Sequence, residues 1–190
     1  MPVRVVIAED EAIIRLDLKE TLEEEGYEVV GETGLGDEAV RLVKELRPEL
    51  AILDIKMPGM DGLTAARAIT AERLCAVLIL TAFSQRELVE QARDAGALAY
   101  LVKPFQKSEL IPAIEMAIGR YQELMSLSDS VRGLEQQLET RKVVERAKGV
   151  LMDRHGMAEA DAYAWIQKRA MSERTTMKAV AERILAGELP

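Results

Sequence analysis

The chain has 190 residues, 48% of them apolar and 31% charged, with a formal net charge of −8 and one cysteine, Cys75. That length allows one large domain or two small ones, each with a real core, and the composition is that of an ordinary globular protein rather than a disordered tail. A lone cysteine excludes an internal disulfide and suits a reducing compartment. No apolar run is long enough to span a bilayer and the N-terminus enters a strand-like run at once, so the expectation is a cytoplasmic protein with no membrane partner and no secretory leader.

The charge is uneven along the chain. Residues 1–119 carry 13 Lys and Arg against 22 Asp and Glu, a net of −9, whereas residues 141–190 carry 10 against 7, a net of +3. An acidic front suits cations, and a mildly basic tail permits a polyanion.

In chain order, strand-like runs are expected at Val3–Ala8, Glu28–Gly31, Leu50–Asp54, Ala76–Leu80 and Ala99–Val102. Helical spacing lies between them: Ile13 to Leu22 ending at Gly26, Ala39 to Leu46, Leu63 to Ile69, Leu88 to Ala92 ending at Gly96, and a last helix beginning near Ser108. Five short strands alternating with helices predict βαβ units, a parallel sheet and helices on both faces. From about Arg120 the strand signal stops. Leu124, Leu127, Val131, Leu134 and Leu138 repeat at three and four, an a/d seam. It reads either as a helical linker folded back on the first domain or as a dimer seam, with Gly133 and three serines weakening it. Three short helices follow, one through Val143 to Leu151 and stopping at His155-Gly156, one through Tyr163 to Ala170, and one through Met177 to Leu185 capped by Thr175 or Thr176.

In an open parallel sheet, ligands sit at the carboxyl ends of the strands. Those ends carry Glu9-Asp10, Asp54, Thr81 and Lys103. Carboxylates gathered there repel one another unless a cation holds them, and Mg²⁺ suits a few carboxylates plus waters and a phosphate. A carboxylate nucleophile, a metal and a lysine are the parts that accept a phosphoryl group. GETGLG at residues 31–36 does not match the dinucleotide fingerprint, because its glycine spacing is reversed.

Residues 3–119 resemble a response-regulator receiver domain. The match rests on the Glu9-Asp10 pair, DIKMPGMDG from Asp54, Thr81-Ala82, Tyr100 and Lys103-Pro104-Phe105. The resemblance implies a flavodoxin-like doubly wound α/β fold, Asp54 as phosphoacceptor, and Mg²⁺ bound by Asp10, Asp54 and the Lys56 carbonyl, with Glu9 acting through water. It also implies a sensor histidine kinase as donor, with Lys103 and Thr81 at the phosphoryl group and Tyr100 as the switch aromatic. Lys56 and Phe83 occupy positions that vary within the family and bear on how long the phosphate survives.

The tail from VVERAKGVLM to MKAVAERIL resembles the ANTAR domain, a three-helix RNA-binding module of transcription antiterminators; Ala158 departs from it where a capping Ser or Thr would be comfortable. This implies binding to RNA hairpins in nascent transcripts, in competition with terminator formation. Candidate contacts are Arg141, Lys142, Arg146, Lys148, Gly149, Lys168, Arg169 and Lys178, with Tyr163 and Trp165 for stacking and at least one of these aromatics expected in the core. Gly149 inside a helix suggests close approach by RNA or by a packed neighbour. The organisation expected is a receiver at 1–119, a helical linker at 120–140 and an RNA-binding domain at 141–190, forming a homodimer on phosphorylation, a regulator and not an enzyme. Two other readings remain: a DNA-binding factor with a helix-turn-helix-like tail, with only Lys178 and Arg183 as cations on its third helix, and a receiver with a protein-binding tail.

Overall fold

Every expected strand forms, three of them shifted or extended by a residue or two at one end. The structure, a computed structural model, describes residues 2–82 and 86–189. The order is β1 (Arg4–Ala8), α1 (Ala12–Glu24), β2 (Glu28–Thr33), α2 (Gly36–Leu46), β3 (Leu50–Asp54), α3 (Gly62–Ala71), β4 (Ala76–Thr81), α4 (Arg86–Asp94), β5 (Ala99–Val102), α5 (Lys107–His155), α6 (Glu159–Glu173) and α7 (Met177–Leu185). The chain divides into two compact units, Met1–Met125 and Ser126–Pro190.

In the first unit the strands form one five-stranded parallel sheet in the order β2-β1-β3-β4-β5. Side chains alternate across it, as a pleated strand requires. Val6, Ala8, Ala51, Leu53, Val77 and Ile79 face one core with α2, α3 and α4. Val5, Ile7, Leu50, Ile52, Leu78 and Leu80 face the other with α1 and α5. Burial on both faces explains why β3 and β4 are unbroken apolar runs, and each buried Leu or Ile contributes about 1.5–3 kcal/mol. Because the strands are parallel, their carboxyl ends share one edge. The order reverses between β1 and β3, and the loops after those strands open a crevice there.

The loop after β3 is held against that edge. Asp61 caps α3, its side chain accepting from the Thr64 amide at 2.7 Å, and the Gly62 amide donates to the Ile55 carbonyl at 2.9 Å. A Cβ at Gly62 would stand 1.9 Å from the Asp54 carbonyl oxygen, and one at Gly36 would stand 2.1 Å from that of Met60. The glycines at these two positions are therefore packing requirements.

Helix α5 differs from expectation: the last helix of the first unit, the heptad stretch and the first tail helix are one continuous helix. Gly133 and the serines do not break it. Ser130 and Thr140 donate their hydroxyls to the carbonyls one turn back, at 2.9 and 2.8 Å, which lets such residues persist in a helix. The five seam residues are between 49% and 65% exposed. In the second unit, Val143, Val144, Ala147 and Leu151 of α5 pack with Ala162, Ile166 and Ala170 of α6 and Val180, Ala181 and Ile184 of α7. Helix α7 is capped by Thr176, whose hydroxyl accepts from the Ala179 amide. Helix α6 begins after Ala158 with no side-chain cap.

Gly62→Ala is expected to destabilise the first unit by about 1–3 kcal/mol through overpacking. Urea denaturation followed by circular dichroism measures this, and an unchanged midpoint would mean that the loop can yield.

Candidate functional site

The strand ends bring five of the expected residues to one rim. Glu9 follows β1 and is 0% exposed, while Asp54 and Thr81, ending β3 and β4, are also buried. Lys103 follows β5, and its ammonium stands 2.5 Å from Glu9 and 2.9 Å from Asp54. Asp10 is exposed beside them, and Glu9, Asp10 and Asp54 each place a carboxylate oxygen within 4.8 Å of the others. Asp54 also accepts from the Lys56 amide at 3.0 Å. Asp10 and Lys56 line an open groove with Met57 and Pro58, so the rim is reachable from solvent.

Electrostatically, the rim lacks positive charge. Burial raises the Glu9 carboxyl above its ordinary value, and the Asp54 charge adds to this, against the hydrogen bond from Lys103. Burial alone would lower the Lys103 ammonium, but its bonds to Glu9 and Asp54 prevail and raise it. Both shifts reflect burial together with one lysine shared by Glu9 and Asp54, with the Asp10 carboxylate close by. A hard divalent cation with oxygen ligands fits that donor set.

Thr81 and Tyr100 are hydrogen-bonded through their side chains, and burial raises the Tyr100 hydroxyl pKa despite that bond. Tyr100 packs at the edge of the core that holds α4. Phe83 lies outside the described residues. Arg15, which the sequence did not single out, donates from its guanidinium to the Glu9 carbonyl at 2.5 Å. The one available signal was its place a single helical turn after Glu11.

The tail cations are spread over α5, α6 and α7 and differ in how free they are. Arg141, Lys142, Arg146 and Lys168 are exposed. Arg169 pairs with Glu173 at 2.5 Å and lies 5.9 Å from the Trp165 ring centroid, and Lys178 stands 3.8 Å from Glu182. Lys148 is buried, with its ammonium 2.9 Å from Glu145 and 2.7 Å from Glu159. A Cβ at Gly149 would meet nothing within 4 Å, so packing within the chain does not require that glycine. Trp165 packs against the bundle core, whereas Tyr163 is 45% exposed.

Comparison with known proteins follows this division. The response regulator receiver domain matches residues 5–115, and the ANTAR domain matches residues 132–185. Over 185 residues, 97% of this chain and 90% of the relative, the sequence is 60% identical to the transcriptional regulatory protein PdtaR of Mycobacterium tuberculosis. The chain belongs to the response regulators with an ANTAR output domain. Among solved structures, the receiver domain of a putative response regulator, NarL, from Mycobacterium tuberculosis is similar, with a TM-score of 0.60 and 33% identity, covering 62% of this chain and 97% of that one. So is a structure titled as the CheX-CheY-BeF3-Mg+2 complex of Borrelia burgdorferi, with a TM-score of 0.58 and 26% identity, covering 60% and 87%.

This membership agrees with a two-component regulator of transcription and with the expectation that the chain is not an enzyme. Among the described residues, no helix of this response regulator is long and apolar enough to cross a membrane. In its ANTAR domain the Lys148 ammonium is raised above, and the Glu159 carboxyl lowered below, its ordinary value by the hydrogen bond between them, with Glu145 also acting on Lys148. The depressed carboxyl contributes stability above its unfolded-state value and loses it as pH falls through the lower folded one; the raised ammonium loses its contribution only at high pH. Trp165 is the single tryptophan and lies in this unit, so its fluorescence reports the unit by itself. Lys148→Ala is expected to lower the Trp165-detected melting temperature at neutral pH and to shift its acid transition, while Lys142→Ala leaves both near wild type. Equal effects would show that the Lys148 pairs carry no stability.

Proposed function

We propose that this response regulator accepts a phosphoryl group on Asp54 from a sensor histidine kinase in the cytoplasm, and that the modification controls an RNA-binding tail acting as a transcription antiterminator. The observation that carries the reading is the meeting of Glu9, Asp10, Asp54 and Lys103 at one rim. In this division 1–119 is the receiver, 120–140 the linker and 141–190 the RNA-binding domain.

The Asp54 carboxylate oxygen attacks the phosphorus of a phosphohistidine. The O–P bond forms as the P–N bond breaks, and the electron pair returns to the imidazole, which takes up a proton. Asp10, Asp54 and the Lys56 carbonyl, with Glu9 through water, would hold Mg²⁺, which would neutralise charge on the phosphoryl oxygens. Lys103, already bonded to Asp54, keeps its ammonium on the new phosphoryl oxygen. The Thr81 hydroxyl turns to donate to that group, and Tyr100 follows into the space released beside it. A local event of this kind shifts a two-state balance by about 1–3 kcal/mol, enough to favour a dimer through the exposed seam of α5. The similar fold of a CheY solved with BeF3 and Mg²⁺ supports the pocket's expected ligands.

For the tail, the ANTAR match supports binding to RNA hairpins in nascent transcripts. Arg141, Lys142, Arg146, Lys168, Arg169 and Lys178 are the cations assigned to RNA, and the open space at Gly149 leaves room for a close backbone approach. Lys148 is assigned to holding α6 on α5 rather than to RNA. The DNA reading has less support. Its third helix, α7, carries only two cations, Lys178 and Arg183, and Arg183 pairs with Glu173 at 2.5 Å.

Acetyl phosphate with Mg²⁺ is expected to add one phosphoryl mass to the wild type and none to Asp54→Asn, by intact-protein mass spectrometry. A gel shift is expected to favour hairpin RNA over duplex DNA, and more so after phosphorylation; a preference for duplex DNA would overturn the RNA assignment. In sedimentation velocity the phosphorylated chain should gain dimer and Leu134→Glu should lose it. A monomer in every state would remove the seam from the mechanism.

A further inference from the structure

A groove in the second unit is bounded by one face of α5, by Tyr163 on α6 and by Met177 at the start of α7. Its volume is about 650 Å³, in the range of small-ligand clefts. The α5 wall comes from Gly133, Gln136, Gln137, Thr140 and Arg141, at the three- and four-residue spacing of a single helix face. At about 100° per residue this face is centred about 120° around the helix from the seam of Leu127, Val131, Leu134 and Leu138, with Arg141 at the edge nearer the seam.

Its polar lining is unused. Among the described residues, the side chains of Gln136, Gln137, Arg141 and Tyr163 make no hydrogen bond, ion pair or ring contact. Tyr163 keeps 45% of its surface exposed although a core lies beneath it. Glu145 also borders the groove, but the Lys148 ammonium holds its two carboxylate oxygens at 3.0 and 2.9 Å and offsets its charge. The wall thus combines an aromatic face, two amides that each donate and accept, and an unpaired guanidinium.

We propose that this groove takes one unpaired nucleobase of the bound RNA, adenine by preference. The inference rests on the RNA reading above and specifies how sequence is read within it. The base lies on the Tyr163 ring, as single-stranded bases lie on exposed aromatics. Gln136 and Gln137 address its edge, since a carboxamide pairs its oxygen and nitrogen with the donor and acceptor of adenine. Arg141 stands at the rim for the adjoining phosphate. The far end, at Gly133, is open, since a Cβ there would meet nothing within 4 Å.

The test uses the full-length chain and two hairpins with one stem, differing in an all-adenosine or all-uridine loop; a third carries 2-aminopurine at one loop adenosine. Wild type is expected to bind the adenosine loop about tenfold more tightly and to quench the 2-aminopurine on binding. Tyr163→Ala and Gln137→Ala should each erase the loop preference while Trp165 fluorescence and melting stay as in wild type, and Tyr163→Phe should keep the quench. If wild type binds both loops equally, or if folded Tyr163→Ala and Gln137→Ala keep the preference, the groove assignment is wrong and the RNA reading stands. If wild type binds neither hairpin, the RNA reading fails and this inference with it.

Discussion

The lysine shared by Glu9 and Asp54 is the interaction on which the rest of the first unit depends. Two buried carboxylates at the ends of neighbouring strands would be untenable alone, because desolvation favours their neutral forms and their charges repel. Lys103 reaches both from the far side of the sheet, and that is possible only because β1, β3, β4 and β5 are parallel and end on one edge. The core on each face of the sheet fixes that edge, and the glycine contacts at Gly36 and Gly62 seat the surrounding loop. One ammonium among three acids still leaves the rim short of positive charge, so the residues that stabilise the fold also prepare it for a cation and a phosphoryl group.

Much of this was legible in the chain. Unbroken apolar runs identified the strands buried on both faces, and the residues following them named the rim without any contact being known. The step from strand ends to a shared rim follows because a parallel sheet has one carboxyl edge wherever its helices run. Arg15 escaped notice because its partner is a main-chain carbonyl, and main-chain acceptors leave no mark in side-chain patterns.

The tail was harder to read. Gly133 and the serines suggested a seam of only moderate stability, yet α5 is continuous, because hydroxyls that satisfy themselves one turn back do not end a helix. Lys148 resembled its neighbours in being a cation on a helix, and only the packing of α6 against α5, which brings Glu159 to it from eleven positions away, sets it apart from them. The expectation that at least one aromatic serves the core agrees with Trp165, packed where Tyr163 is half exposed.

The internal pairing of the tail cations bears on how it would hold a polyanion. Each phosphate neutralised by a free lysine or arginine steepens the dependence of log affinity on log salt by roughly 0.7–0.9, through release of condensed counterions. With Lys148 held between two carboxylates, and Arg169 and Lys178 each facing one, the exposed Arg141, Lys142, Arg146 and Lys168 are the cations that would release counterions without first breaking an ion pair. A nucleic acid gripped here would lose affinity with rising ionic strength less steeply than if every tail cation were free.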